Sequence, residues 1–588
     1  LNYTIKVDEI TVQNNMMTIS VSGEIDTVLE LSKPKINLYF ENGLENRRIP
    51  MVIKTVYRRN GKCQFIGKYK YNLNMLYWTS RGEKVTSRMH FNFMYGDLLE
   101  ERVPFEIDLE TLETDDYCYN FEFKDDHFEF SPNPENIKKV RGRGKFKKPI
   151  KCLYKFFSFL IALALLPWFL VEALLALMKI VPFAKGVKNP NPINRIIGQV
   201  NRRVKAFSNV KISIVNMKRA LIIFSYKFFK KVLKIKENRI TFISERGNEI
   251  SGNFEFVYDK IKNDKSLDIR LLLNTKSVKK MNLFEIIAFA KACSSSKVII
   301  LDEFTARIHY IDLKPETTLI QLWHACGAFK TFGFTRLGKE KGSPQVTRMH
   351  RSYDYVTVST KNVKRCHSEG FGISDEKVVP TGIPRTDVFF DEEYKKNVQE
   401  RFYGRYPNFR DKKILMFAPT FRGAVKETAH YPVSKMDLQY IYESLGGEYA
   451  IIVKHHPFVK QVQPIPEMYQ DYIIDLSKGE DINDLLFVTD LIITDYSSLV
   501  FEASLLDIPM LFYAYDLESY IANRDFYFDF VSFVPGKIVY TQEEIVEAMK
   551  NKDFEQEKVF DFSRKFFDEF DGKSTDRVAS LIYDSLKK

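Results

Sequence analysis

The sequence predicts a multidomain chain: an all-β module, a basic amphipathic helical segment, and a C-terminal α/β region of two Rossmann-like lobes. Three observations carry that expectation. Apolar and polar residues alternate in short runs through the first 130 residues. A single block, Lys138 to Lys236, holds 24 Lys/Arg against one acid, Glu172. From Arg239 onward, apolar strand-like runs recur with helical stretches between them. At 588 residues the chain exceeds what one hydrophobic core supports. Expected boundaries are residues 1–130, 131–237, 238–390 and 391–588.

The first module reads as strands because its pattern has period two. Thr18-Ile19-Ser20-Val21-Ser22, Lys35-Ile36-Asn37-Leu38-Tyr39-Phe40 and Cys63-Gln64-Phe65-Ile66-Gly67 alternate between turn-like Asn, Gly and Asp clusters. A small β-sandwich follows, with no catalytic constellation in it. An accessory role in docking or spacing is expected, and polymer or acceptor binding is the alternative. The opening residues do not form a charged-then-apolar leader. Six cysteines, at 63, 118, 152, 293, 326 and 366, lack CxxC spacing, which fits a reducing compartment and a cytoplasmic enzyme.

The basic block carries a net +23, which leaves −11 for the rest of the chain. Lys138, Lys139, Arg141, Arg143, Lys145, Lys147, Lys148 and Lys151 precede an uncharged 16-residue run, Phe156 to Val171, interrupted by Pro167. A spanning helix needs about 20 apolar residues, so this run is short for a span. Ile212 to Ile235 mixes Ile, Leu and Phe with Lys218, Arg219, Lys227, Lys230, Lys231 and Lys234. That composition suits a helix lying in the plane of an anionic membrane surface. A buried helical hairpin with a solvated basic face is the alternative. Nucleic acid is not the expected partner, because bulky aliphatics interleave the cations and no binding motif accompanies them.

In the α/β region, Ile240–Ser244, Ile269–Leu273, Lys297–Leu301 and Thr318–Leu322 read as buried strands. Lys413–Ala418, Tyr449–Lys454, Leu491–Thr494 and Met510–Tyr513 form a second set. Continuous apolar strands alternating with helices indicate parallel sheets covered on both faces. Two sets in series imply two lobes joined near residues 389–412, with ligand sites at the strand C-terminal ends.

Polar residues cluster at those ends. Trp323-His324-Ala325-Cys326-Gly327-Ala328-Phe329-Lys330 follows the fourth strand; His324 can take a proton from a hydroxyl, and Lys330 can steady a phosphate. Gly382-Ile383-Pro384-Arg385 closes the first lobe. In the second lobe, Thr420 and Arg422 follow one strand, and Lys454, His455 and His456 follow the next. Ser497 and Ser498 precede a helix bearing Glu502. Hydroxyls and amide N–H groups at a helix start bind anions, and a carboxylate one turn on can accept from ribose hydroxyls.

From Arg239 to about Leu581 the chain resembles the CDP-glycerol glycerophosphotransferase family of teichoic acid and capsule polymerases and primases. The carriers are Trp323-His324, Gly382-Ile383-Pro384-Arg385, Ala418-Pro419-Thr420-Phe421-Arg422, Lys454-x-His456-Pro457 and Thr494-Asp495-Tyr496-Ser497-Ser498-x-x-x-Glu502. The resemblance implies a GT-B fold and attack on the β-phosphate of a CDP-polyol with release of CMP. It implies His324 as the base or orienting group for the acceptor hydroxyl, and His456 on the pyrophosphate, stabilising charge on the departing CMP. Ser497, Ser498, Thr420, Arg422 and Lys454 would bind donor phosphates, Glu502 the ribose, and Lys330 and Arg385 the acceptor side. The implied acceptor is a lipid-linked anionic polymer, and the implied location is peripheral, on the cytoplasmic face of the cell membrane. No Asp cluster has metal spacing, so no metal ligand is expected beyond a Mg²⁺ loosely held by the donor.

Where many members continue with Gly-Thr-Pro-Leu-Lys, this chain has Ala325-Cys326-Gly327-Ala328-Phe329-Lys330. With the β module ahead of it, the chain is similar to the ribitol-phosphate polymerase branch. CDP-glycerol is the alternative donor. A nucleotide-sugar glycosyltransferase of GT-B type and a catalytically silent scaffold are the competing readings.

Overall fold

The computed structural model of the chain describes residues 2–13, 16–26, 35–41, 46–50, 52–59, 62–72, 87–95, 98–103, 105–107, 119–123, 127–132, 166–178, 192–208 and 214–588. Within the last span, 246, 274–277, 337–349, 424–427, 461–463, 518–519 and 521–525 are outside the described residues. The expected cationic run Lys138 to Lys151, and most of the apolar run after it, also fall outside.

The period-two pattern produces strands β1 (Tyr3–Gln13), β2 (Met16–Asp26), β3 (Lys35–Glu41), β4 (Asn46–Pro50), β5 (Val52–Arg59) and β6 (Lys62–Asn72). They are followed by β7 (Ser87–Tyr95), β8 (Leu98–Val103), β9 (Glu106–Ile107), β10 (Tyr119–Phe123) and β11 (His127–Pro132). One sheet runs β5-β6-β2-β1-β9 and the other β10-β11-β7-β3-β4, with β8 on β7. Alternate residues such as Val7, Ile19, Val21, Phe65, Leu38 and Phe91 are buried. Tyr69 ties the sheets together: its hydroxyl donates to Ile36 O at 2.8 Å and its ring meets Phe91.

Three helices bridge to the α/β region: α1 (Leu166–Leu177), α2 (Pro192–Ser208) and α3 (Ile214–Val232). The first two pack through Phe169, Ala173 and Val200, and Arg203 pairs with Glu172. Among the described residues no helix is long and apolar enough to cross a membrane. The third helix is docked on the first lobe. Ile222 and Tyr226 enter its core, Tyr226 Oη donates to Asp312 O at 2.8 Å, and Lys230 Nζ reaches the same carbonyl at 2.8 Å. One face of the helix, with Ile222, Ser225 and Tyr226, is therefore buried against protein. Met217, Phe224 (70% exposed), Phe228 and Val232 stand in solvent.

The first lobe is a six-stranded parallel sheet of β12 (Lys236–Ser244), β13 (Asp268–Leu273), β14 (Ser296–Leu301), β15 (Thr318–Gln321), β16 (Tyr355–Val358) and β17 (Val378–Pro380). Its order is β13-β12-β14-β15-β16-β17. The second lobe is another, of β18 (Lys413–Phe417), β19 (Tyr449–Val453), β20 (Ile473–Asp475), β21 (Leu491–Thr494), β22 (Met510–Tyr513) and β23 (Lys537–Val539), ordered β20-β19-β18-β21-β22-β23. Strands β14, β19 and β21 are buried at every residue, as sheets covered on both faces require.

The last helix, Ser574–Lys587, falls by sequence within the expected second lobe, residues 391–588. It returns to the first, where Val578, Ala579 and Ile582 pack on Ile240, Phe242 and Ile320. Asp387 caps it by accepting from the N–H groups of Ser574 (2.9 Å) and Thr575 (2.7 Å). Gly382, at φ 78°, permits this approach, since a Cβ there would sit 2.2 Å from Ser574 Oγ.

Candidate active site

Loops that leave the C-terminal strand ends of the two sheets touch one another, Arg385 with Glu502 and Phe329 with Phe526 and Phe533, and the singled-out residues fall on such loops. The loop after β15 presents His324, whose side chain is 44% exposed with Nδ1 4.0 Å from Glu303 Oε1. Glu303 follows β14, so two adjacent strands deliver an imidazole and a carboxylate together. The same loop then crosses to the second lobe. Phe329 stacks on Phe526 and Phe533 at 4.8 and 4.9 Å, and Tyr527 N–H donates to Phe329 O at 2.9 Å. Gly327, at φ 58°, passes so close to Phe501 that a Cβ would lie 2.1 Å from its ring. The Ala-Cys-Gly-Ala-Phe variant of this loop is thus fitted to an aromatic surface of the opposite lobe.

That crossing carries Lys330 to the second lobe, where it bridges to Phe526 and its Nζ lies 5.7 Å from the centre of the Tyr520 ring. Desolvation and then the Lys330 charge lower the His456 pKa. His456 Nδ1 accepts from Phe458 N–H at 3.2 Å, and its ring packs against Phe421 at 4.8 Å. An imidazole whose Nδ1 accepts is a neutral tautomer with its proton on Nε2, a hydrogen-bond donor. Behind it, His455 is buried, which lowers its pKa.

Arg385 bonds to Glu502 across the cleft, and its Nη2 lies 3.9 Å from Cys326 Sγ. Burial opposes charge on Arg385, but the Glu502 carboxylate outweighs it and raises the guanidinium pKa. Glu502 Oε2 and Arg385 Nε are buried and make no protein hydrogen bond. Burial, and then the Glu502 charge, push the Cys326 thiol well above its usual range, so this cysteine is no ready nucleophile.

The Thr420 and Arg422 loop is built around two aspartates. Arg422 donates to both Asp516 oxygens (2.6 and 2.8 Å), to Asp495 Oδ2 (2.9 Å) and to Thr420 O (2.6 Å). Its cation also lies over the rings of Tyr431, Tyr496, Tyr515 and Tyr520. Thr420 N–H donates to Asp495 Oδ1 at 2.7 Å, while its Oγ1 is buried without a protein partner. Lys454 Nζ is likewise engaged, donating to Leu476 O (2.7 Å) and Glu480 O (2.5 Å). In this geometry Arg422 and Lys454 brace their loops. Ser497 Oγ accepts from Leu499 N–H at 3.2 Å, and Ser498 is exposed at the start of the Leu499–Ser504 helix.

Sequence reasoning missed Glu303, Asp516 and Asn253. Glu303 and Asp516 lie two and three residues past the predicted strands Lys297–Leu301 and Met510–Tyr513, a signal that could have found them; Asn253 sits where no spacing marks it. Among the described residues, no group of three or more His, Cys, Asp or Glu side chains could hold a metal ion.

Two parallel-sheet lobes, with polar side chains from both at one cleft, define a GT-B-like architecture. The family model for CDP-glycerol:poly(glycerophosphate) glycerophosphotransferases matches residues 225–584, and the chain belongs to that family. It is 42% identical over 364 residues to the teichoic acid poly(ribitol-phosphate) polymerase of Bacillus spizizenii, covering 62% of this chain and 59% of that one. It is 41% identical to the teichoic acid ribitol-phosphate polymerase TarK of Staphylococcus aureus, over 60% of this chain and 70% of that one. The structure of the wall teichoic acid polymerase TagF superposes with a TM-score of 0.52 at 23% identity, over 63% of this chain and 94% of that one, and shares its fold.

Proposed function

We propose that the chain transfers ribitol phosphate from CDP-ribitol to a hydroxyl of a lipid-linked anionic polymer, releasing CMP. The observation that carries this reading is that one loop bears His324 at its start and reaches the opposite lobe at Phe329 and Lys330, which pair with Tyr527 and Phe526. Lys330 of that loop and His456, Ser497 and Ser498 of the second lobe are groups suited to an anion. His324 accepts the proton of the acceptor hydroxyl, whose oxygen attacks the β-phosphorus; Glu303 beside it favours the imidazolium that forms. The bond from that phosphorus to the CMP oxygen breaks, and His456 Nε2–H and Lys330 stabilise the charge on the departing CMP. Thr420 Oγ1, Ser497 and Ser498 bind donor phosphate oxygens, and Glu502 Oε2 accepts from a ribose hydroxyl while Arg385 holds Oε1. Arg422 and Lys454 act by shaping the loops. Ribitol is preferred to glycerol because both polymerases at 41–42% identity are named for ribitol phosphate.

The exposed face of α3 rests on an anionic membrane surface in this reading. Met217, Phe224, Phe228 and Val232 lie there with Lys227 and Lys231, and Leu283 and Phe284 are exposed at the start of the Leu283–Ser295 helix against which α3 packs. Aromatics that enter the acyl boundary beside lysines that meet headgroups are the elements of interfacial binding. The surface concerned is the cytoplasmic one, where a nucleotide donor is met.

The test is nucleotide release with a defined lipid-linked primer and CDP-ribitol, CDP-glycerol or UDP-sugars. CMP from CDP-ribitol is expected. UDP from a sugar donor, with no CMP from either polyol, would overturn the proposal.

A further inference from the structure

Trp323 occupies the left-handed region at φ 55°, a conformation that is strained for a bulky residue unless its surroundings impose it. Two buried amides impose it. Gln321 Oε1 accepts from Trp323 N–H at 2.8 Å, and Asn253 Nδ2 donates to Trp323 O at 2.8 Å. Gln321 is fully buried and Asn253 is 3% exposed. Each amide is itself fixed. Gln321 Nε2 donates to Glu303 O (3.1 Å) and to Tyr353 Oη (3.2 Å), and Asn253 Oδ1 accepts from Arg385 N–H at 3.1 Å. The indole is held among Phe332 (5.4 Å) and Phe371 (5.1 Å). With both ends of its residue pinned and its ring anchored, Trp323 turns the chain sharply and hands the next residue, His324, to the cleft.

We propose that Asn253 is a positioning residue for the transfer reaction. Its amide sets the Trp323 carbonyl, and hence the aim of His324, and it ties that aim to the Arg385 turn that bonds Glu502 of the opposite lobe. Asn253 lies at the start of a first-lobe helix, Asn253–Ile261, and acts through Trp323, not on substrate. The inference rests on the role given to His324 above.

The experiment compares Asn253→Asp, Asn253→Ala and His324→Ala in the full chain, measuring kcat and KM for CDP-ribitol with primer, and CMP affinity by calorimetry. Asp keeps the shape of Asn and an acceptor for Arg385 N–H, but removes the donor to Trp323 O. Both Asn253 variants are expected to lose about 10- to 100-fold in kcat, with the donor KM and CMP affinity within about twofold of the parent, since a misaimed base loses transition-state stabilisation and not ground-state binding. Asn253→Ala carries the test if the Asp variant, with its buried charge, fails to fold. Turnover within about twofold of the parent in the folded variants would refute the positioning role. Full turnover by His324→Ala would instead remove the assignment of His324 itself.

Discussion

Arg385, just beyond the last strand of the first lobe, bonds to Glu502, one turn into a helix of the second, and the Glu502 side chain is only 5% exposed. A carboxylate buried to that degree tolerates charge only while its cation is present. Arg385→Ala should therefore lose about 3–5 kcal/mol in urea unfolding, and Arg385→Ala/Glu502→Ala should regain part of it. Equal losses in the single and double variants would mean the two groups are not coupled.

His324→Ala should reduce CMP release by about 10²- to 10⁴-fold, the usual contribution of a positioned base, while CMP affinity stays near that of the parent. A parallel loss of affinity would place His324 in donor binding.

Lys330 and desolvation act in the same direction on His456. In Lys330→Ala the His456 pKa should rise, yet remain below that of an exposed histidine because desolvation persists. An NMR titration of the histidine ring protons reads this directly, and an unchanged pKa would show that the two groups do not meet in solution.

Two histidines of the first lobe are buried in neutral form. Burial lowers the pKa of His350 to about 3 and of His367 to about 4. The unfolded chain binds protons near pH 6.5 and the folded one does not, so their stabilisation is complete above pH 6.5 and is lost as pH falls toward those values. Each should cost roughly 1.4 kcal/mol per pH unit in that window. Urea midpoints of His367→Gln between pH 6.5 and 4 should fall less steeply than those of the parent.

Phe224→Ser/Phe228→Ser should weaken flotation with anionic vesicles at least tenfold, since burying one large apolar side chain is worth about 1.5–3 kcal/mol, and should leave turnover on a water-soluble primer intact. Binding that is unaltered, or that ignores salt, would remove α3 from the membrane.

The strongly periodic or continuously apolar segments were legible: every predicted strand of the two lobes lies in or overlaps an observed one. Strands β16, β17, β20 and β23, of three or four residues each, were not. The three-residue runs β17, β20 and β23 carry too little period to read, and Val378-Val379-Pro380 ends on a proline that its edge position tolerates. The mixed composition of Ile214–Val232 was legible as amphipathic, but which side faces protein was not, because Ile222 and Tyr226 find their partners on residues far along the chain.

Sequence by itself determined which residues sit at the strand ends, because the periodicity of buried strands and the polar loops after them are local properties. It thereby marked His324, His456, Thr420, Ser497 and Glu502. Only the tertiary structure decided what their neighbours do. Arg422 and Lys454 look alike in sequence as phosphate-binding cations, yet the folded chain commits one to Asp495 and Asp516 and the other to two carbonyls. Asn253 had no visible role until folding brought it to Trp323, 70 residues away. Buried polar groups must be satisfied by whatever the fold places within reach, and that reach is set by packing between segments, which no local pattern records.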